Sequence, residues 1–172
     1  MKESHIYPQL VRKALEFYFS NARKPKSLDE LGVVDSFGPS HGVFVSLHKD
    51  GDLRGCIGTI MASQKTLGDE IIQNTFSAAF NDPRFPPLEA EELPLLEINV
   101  DVLSEFEEST RDKLDPKKYG VMVSTGWKRG LLLPDLEGVD TVDMQLSIAC
   151  RKGGIGLHEK YVIERFTVER YK

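Results

Sequence analysis

Three stretches of the chain place apolar residues at the spacing of an amphipathic α-helix. The first covers residues 8–20, with Pro8 suited to a first helical turn. The second begins at the capping pattern of residues 66–69 and runs to about Phe80. The third covers about residues 141–151 and stops at a glycine pair. The spacing therefore predicts three helices, each with one apolar face turned towards a core.

Elsewhere apolar and polar residues alternate, as they do in half-buried β-strands. The predicted strands cover residues 41–48, 53–60, 95–103, 121–125, 130–134 and 161–169. Hairpins separated by helices favour an α+β fold built on an antiparallel sheet of about five strands flanked by helices. Because no linker and no internal repeat stands out, we expect residues 1–172 to form a single domain.

Composition and charge narrow the function classes. The 172 residues are 40% hydrophobic, which is enough for a sizeable core. A net charge of −5 argues against broad binding to nucleic acid or to an anionic membrane. The first residues contain no apolar stretch, so we expect no secretion signal, and no apolar run in the sequence reaches the length of a membrane span. Two cysteines far apart in the chain suggest no disulfide framework, so we expect a cytoplasmic protein.

The strand predicted over residues 53–60 has an unusual composition for a structural strand. Gly55 and Gly58 flank Cys56, and glycine in a strand gives up both packing and backbone entropy. We therefore expect another group to approach this backbone closely. Strand alternation places Arg54 and Cys56 on one face, about 7 Å apart. A cation then lies near a thiol.

The pairing of this strand depends on the turn at residues 49–51. If Asp50 and Gly51 form a two-residue type I′ loop, Val45 pairs with Cys56 and Leu47 with Arg54. A three-residue loop shifts the register by one residue and exchanges those neighbours. The sequence leaves both alternatives open.

A proline-rich loop at residues 81–87 follows the second predicted helix and holds Asp82, Arg84 and Phe85. Charges fixed by prolines can act as preorganised ligands. In a purely local role, Arg84 complements the helix dipole and Asp82 makes a turn hydrogen bond. We weigh the two roles equally.

Several motifs, taken in order, resemble the AMMECR domain family over residues 8–170. They lie at residues 53–58, 82–85, 93–94, 102–104 and 130–134. Residues 149–154 resemble a helix end of the family, with Gly153 where alanine is usual. The resemblance implies a two-part α+β fold with a smaller second subdomain, related to folds that bind nucleotides, peptides or nucleic acids. It implies no established activity. In prokaryotes the family's gene context suggests a modification pathway shared with a Memo-type protein and a radical S-adenosylmethionine enzyme.

Two functional hypotheses follow. In the first, the chain is a ligand- or partner-binding module whose site consists of Arg54, Gly55, Gly58, Asp82, Arg84 and Phe85. In the second, it is an enzyme with Cys56 as nucleophile, acting on an anionic small molecule or nucleotide held by Arg54 and Arg84. Against the second, free cysteines are often simply buried, as we expect for Cys150.

The sequence specifies no cofactor. It has no Cys-x-x-Cys motif and no pair of histidines at helical spacing, so we predict no metal site. Trp127 lies between two predicted strands and suits either contact with a partner or local packing. Oligomeric state does not follow from these patterns.

Overall fold

All three predicted helices are present in the computed structural model, which describes residues 5–34 and 37–172. Helix α1 spans Ile6–Asn21, α2 spans Leu67–Phe80 and α3 spans Val142–Gly153. Thr66 and Thr141 cap the second and third helices, where each hydroxyl accepts a hydrogen bond from the backbone N–H three residues later. No helix in the described segments has both the length and the apolar character needed to cross a membrane.

The predicted α+β antiparallel class is confirmed, but the strands form two sheets of four instead of one sheet of about five. The strands are β1 Val43–Lys49, β2 Asp52–Thr59, β3 Leu96–Leu103, β4 Glu107–Ser109, β5 Gly120–Thr125, β6 Lys128–Leu132, β7 Val162–Phe166 and β8 Val168–Tyr171. The first sheet has the order β2-β1-β3-β8 and the second β4-β7-β5-β6. The last predicted strand divides at Thr167, because its two halves join different sheets.

The chain forms two compact units. The first unit extends to Val102 and includes Glu169–Lys172, whereas the smaller second unit is Leu103–Val168. In the first unit, α2 packs on β1 and α1 packs on α2, and their apolar side chains share one core with Val43, Val45 and Leu47 of β1. In the second, α3 packs on β5 and β6 around Val121 and Val123. Each unit thus has its own core.

Both units repeat one topology that the sequence did not reveal. In the first, the hairpin β1–β2 is followed by α2 and then by β3, which pairs with β1. In the second, the hairpin β5–β6 is followed by α3 and then by β7, which pairs with β5. The remaining strand of each sheet comes from the chain segment that leaves the other sheet. After β3 of the first sheet the chain forms β4 of the second sheet, and after β7 of the second sheet it forms β8 of the first.

Equivalent glycines allow the helix to approach the hairpin in both units. Gly55 pairs with Leu47, and a Cβ atom at Gly55 would overlap the carbonyl oxygen of Ala78 in α2. Gly130 pairs with Val123, and a Cβ atom there would overlap the carbonyl oxygen of Ala149 in α3. The close approach expected at Gly55 is therefore made by the chain's own helix.

We expect Gly55→Ala to lower the free energy of unfolding by about 2–3 kcal/mol, because the new methyl group meets backbone that cannot rotate away. Urea denaturation measures this loss. Gly156→Ala is the matched control, since its nearest neighbour would be 3.8 Å away, and it should change stability by less than about 0.5 kcal/mol. Equal stabilities for the two variants would contradict the packing assigned to Gly55.

Candidate functional site

The β1–β2 hairpin has the two-residue loop of the first alternative, but not the pairing that this loop alone would give. Lys49 pairs with Asp52, and Asp50 and Gly51 both have positive φ, at 54° and 85°, as a type I′ turn requires. The register then shifts next to His48, because a β-bulge leaves Arg54 without a partner residue on β1. Cys56 consequently pairs with Ser46 and Leu47 with Gly55, so the pairs Val45–Cys56 and Leu47–Arg54 of the two-residue-loop alternative do not form, and the register at Cys56 is shifted by one residue. The bulge inserts one extra residue, Arg54, into β2, and the pairing expected for a two-residue loop does not include such an insertion.

This register sets the surroundings of the Cys56 thiol. The hydroxyl of Ser46 lies 3.1 Å from Cys56 Sγ, at hydrogen-bond distance. Ser46 is flanked on the other side by Asn99 of β3, and His48 is the next residue of β1 on this side of the sheet. The opposite side of β1 carries the buried valines and Leu47. We call the group Ser46, His48, Cys56 and Asn99 the Cys56 face; Cys56 itself is a partly exposed residue.

The second unit shows that a polar pair is not needed at this point of the fold. The pair equivalent to Ser46 and Cys56 is Met122 and Leu131, one residue before the Val123–Gly130 pair. Both of these side chains are apolar and buried. The hydroxyl and the thiol are therefore features of the first unit and not requirements of the topology.

A side-chain pair binds the free edge of β2 at Cys56. The Cys56 N–H donates to Asp82 Oδ2 at 2.9 Å, and Arg84 Nη2 donates to the Cys56 carbonyl oxygen at 3.2 Å. Asp82 also accepts hydrogen bonds from Arg84 Nε at 3.0 Å and Nη2 at 2.8 Å. We call this arrangement the Asp82–Arg84 clasp. Because it uses the backbone groups that an added strand would need, β2 is closed to strand addition at Cys56.

The clasp joins a buried carboxylate to an exposed guanidinium. Asp82 is only 4% exposed. The hydrogen bonds from the Arg84 side chain keep the pKa of the Asp82 carboxyl group well below its ordinary range, although burial acts in the opposite direction. The amides of Cys56 and Arg84 also lower this pKa. The Arg84 side chain is 56% exposed, and its Nη1 has no hydrogen bond to any described residue. It lies over the Phe85 ring, 5.5 Å from the centroid. The predicted local turn bond from Asp82 to the Arg84 N–H is present, and the same carboxylate also binds the Arg84 guanidinium.

Arg54, in contrast, makes four hydrogen bonds within the protein with its five N–H donors. Its Nε and Nη2 each donate to a different oxygen of Glu92 at 2.9 Å. The remaining bonds go to the carbonyl oxygens of Pro86 and Pro87, at 3.0 and 3.3 Å. Arg54 therefore ties the proline-rich loop to the hairpin and is not available to hold an anion in this arrangement.

Glu92 is a site residue that the sequence analysis missed. It binds Arg54 and also accepts a hydrogen bond from Lys49 Nζ at 3.0 Å. It forms a capping box with Glu89, and that Glu-x-x-Glu spacing was the available signal. The hydrogen bonds from Arg54, against the effect of burial, together with those from Glu89 and Lys49 lower the pKa of Glu92 to about 2.

A second missed residue, Glu70, is fully buried on α2. Its carboxylate accepts five hydrogen bonds, which come from Ser40, Thr59, Ser63 (N–H and hydroxyl) and the Gln64 N–H. Burial opposes the charge, but these donors outweigh it and lower the pKa of Glu70. The carboxylate thereby anchors the loop that follows β2.

The remaining predicted residues have simpler surroundings. A Cβ atom at Gly58 would overlap the Phe44 ring, so that glycine also serves internal packing. Cys150 is buried in the core of the second unit, where burial raises the pKa of its thiol. In residues 5–34 and 37–172, no three histidine, cysteine, aspartate or glutamate side chains are grouped as metal ligands would be.

Comparison with known proteins gives consistent matches. A family model described as AMMECR1 matches residues 8–171. A Thermotoga maritima protein is 54% identical over 172 residues, covering 98% of each chain. A Clostridium acetobutylicum protein is 47% identical over 171 residues, and the match covers 99% of this chain but only 36% of that longer one. The crystal structure of an uncharacterised Pyrococcus horikoshii protein superposes with a TM-score of 0.80 at 28% identity, covering 99% of this chain and 92% of that one.

The low pKa of Glu92 predicts a defined acid sensitivity. A carboxylate whose pKa falls from 4.5 to about 2 on folding stabilises the protein above pH 4.5, and this contribution is lost as the pH falls towards 2. Urea denaturation between pH 6 and pH 2.5 should therefore show a smaller pH-dependent loss of stability for Glu92→Gln than for the unaltered protein. Glu91→Gln, at an exposed neighbouring carboxylate, is the control. Parallel pH profiles for all three proteins would show that Glu92 does not stabilise the loop through its charge.

Proposed function

The chain belongs to the AMMECR1 family, and we propose that it is a binding module in which Arg84 receives a carboxylate or phosphate group beside the Cys56 face. The supporting observation is that the two sides of the Arg84 guanidinium differ in their hydrogen bonds. One side of the guanidinium binds Asp82 and the Cys56 carbonyl, while Nη1 has no partner among the described residues. An arginine oriented in this way loses little side-chain entropy when it binds an anion.

The neighbouring groups add specificity to that charge. Ser46, Asn99 and His48 offer hydrogen-bonding groups on the same side of the sheet, and the Phe85 ring lies beside the guanidinium. A ligand that joins an anionic group to a polar body suits this combination. The closed edge of β2 disfavours recognition by strand addition, so we propose that the ligand is bound through side chains.

We further propose that the module acts with other proteins in a modification pathway, as the gene context of the family suggests for a Memo-type protein and a radical S-adenosylmethionine enzyme. The Clostridium acetobutylicum relative supports joint action, because there the matched region is only 36% of a longer chain. Two free cysteines suit a reducing compartment, and we propose the cytoplasm.

A second candidate function is an enzyme that uses Cys56 as nucleophile. It is favoured by the position of Cys56, a partly exposed residue whose thiol lies 3.1 Å from the Ser46 hydroxyl and whose carbonyl oxygen is bound by Arg84. The thiolate would attack an electrophilic atom of the bound anion, and the leaving group would depart with its electron pair. His48, the nearest imidazole along β1, has no hydrogen bond to Cys56 in this arrangement, which is why we place binding first.

Titration of the isotope-labelled protein with inorganic phosphate tests the binding proposal. We expect saturable NMR shifts of the Cys56 and Arg84 amides, and Arg84→Ala should weaken binding at least about tenfold, because a charge-assisted contact is lost. Arg84→Lys keeps the positive charge but loses the planar set of N–H donors, so its affinity for phosphate should lie between those of the unaltered protein and Arg84→Ala.

Arg23→Ala is the control for this titration, because Arg23 is also exposed and also paired with a carboxylate, that of Glu30. This variant should bind phosphate as the unaltered protein does. Shifts that survive in Arg84→Ala, or an absence of shifts at Cys56, would refute the proposal.

A further inference from the structure

One end of the second unit exposes two large apolar side chains on separate loops. Trp127, in the β5–β6 turn, is 88% exposed, and Leu157, in the loop after α3, is 92% exposed. Val162, at the start of β7, is exposed as well. Apolar side chains that are exposed together mark interaction surfaces more often than isolated ones do.

Contacts within the unit bring these loops together. Lys128, next to Trp127, binds Glu159 at 2.7 Å, and Glu159 in turn accepts a hydrogen bond from the Gly156 N–H at 2.8 Å. Ser124, at the end of β5, pairs with Val162. Trp127, Leu157 and Val162 are therefore neighbouring parts of one surface, which we call the Trp127 corner.

The charge around this corner is opposite in sign to that of the whole chain. The cationic residues of segments 126–132 and 150–162 are Lys128, Arg129, Arg151, Lys152 and Lys160, and the only carboxylate in those segments is Glu159. The end of α3 lies against β6, since a Cβ atom at Gly153 would be 2.7 Å from the carbonyl carbon of Arg129. In a chain with a net charge of −5, this is a local basic surface.

We infer that the Trp127 corner docks an acidic protein partner, one that receives Trp127 and Leu157 in an apolar cleft rimmed by carboxylates. Apolar anchors within a ring of charge are the usual composition of such interfaces. Single-stranded nucleic acid fits less well, because base stacking uses several aromatic rings and the two other exposed side chains of the corner are aliphatic.

Two further observations favour a protein over a membrane. The net negative charge of the chain opposes adsorption to an extended anionic surface, whereas a protein partner needs to match only this corner. In the Clostridium acetobutylicum relative, the matched region makes up 36% of the chain, so a region similar to this protein is joined there to a longer polypeptide. The inference does not depend on anion binding at Arg84, because the two sites share no residue and lie in different units.

Trp127 is the only tryptophan of the chain, so its fluorescence reports on this corner alone. The probe is a synthetic amphipathic peptide of leucine and glutamate. We expect it to shift the Trp127 emission to shorter wavelength saturably, with a Kd below about 1 mM. Leu157→Ser should weaken binding at least about tenfold, and Lys152→Glu combined with Lys160→Glu should do the same.

Val34→Ser is the matched control, since Val34 is an equally exposed apolar residue of the first unit; it should leave binding unchanged. A peptide in which lysine replaces glutamate should not bind. Equal binding of that peptide, or no emission shift at about 1 mM acidic peptide, would overturn the inference. An emission shift with phosphatidylserine vesicles or with oligothymidine, but not with the acidic peptide, would overturn it in favour of a membrane or a nucleic acid.

NMR shifts at Cys56 on phosphate addition should persist in Leu157→Ser, which separates this test from that of the anion site.

Discussion

The buried carboxylate of Asp82 is the interaction on which the site depends. A carboxylate removed from water is stable only when donors replace the lost hydration, and Asp82 obtains them from the Cys56 amide and from the backbone and guanidinium of Arg84. These donors belong to an edge strand and to a proline-rich loop. Satisfying one charge therefore fixes the strand, the loop and the direction of the arginine together.

Glu92 extends this principle along the same loop. By binding Arg54 and Lys49 it ties the segment after the prolines to the β1–β2 hairpin. The loop is thus attached to the hairpin at two points, and the arginine that remains available is Arg84, not Arg54. Two arginines that look equivalent in the sequence each bind a carboxylate, but they have different roles. Arg54 also binds the carbonyl oxygens of Pro86 and Pro87, whereas Nη1 of Arg84 has no hydrogen bond to a described residue.

The repeated topology separates what the fold requires from what is particular to the first unit. Both units keep the glycine against the helix and the threonine cap of the helix. Four residues after each cap lies a fully buried polar residue, Glu70 or Gln145. Gln145 donates to the Tyr119 carbonyl, whereas Glu70 carries a charge that needs five donors. At these equivalent positions, the thiol of Cys56 and the buried carboxylate of Glu70 thus occur only in the first unit.

Hydrophobic periodicity predicted the helices, both hairpins and the α+β class, because these follow from local pattern and capping. It also directed attention to residues 53–58 and 82–85, where composition departs from ordinary packing. The register at Cys56 was not predictable, since the bulge at Arg54 leaves no local signal. Nor was the role of Glu70 or Glu92, because the partners of a buried charge are set by tertiary contacts. The division into two sheets likewise depends on where β7 and β8 pair, and alternation alone does not specify that.

Arg84 should attract anions to the partly exposed Cys56, and the rate of alkylation reports on that attraction. The rates of iodoacetate and iodoacetamide modification are compared at Cys56 in the native protein, in Arg84→Ala and in the urea-unfolded chain, with Cys150 as the buried internal reference. We expect native Cys56 to react while Cys150 does not. We also expect the ratio of iodoacetate to iodoacetamide rates to be higher in the native protein than in the unfolded chain or in Arg84→Ala. A Cys56 that stays unreactive until unfolding, or a rate ratio that is the same in all three states, would contradict these expectations.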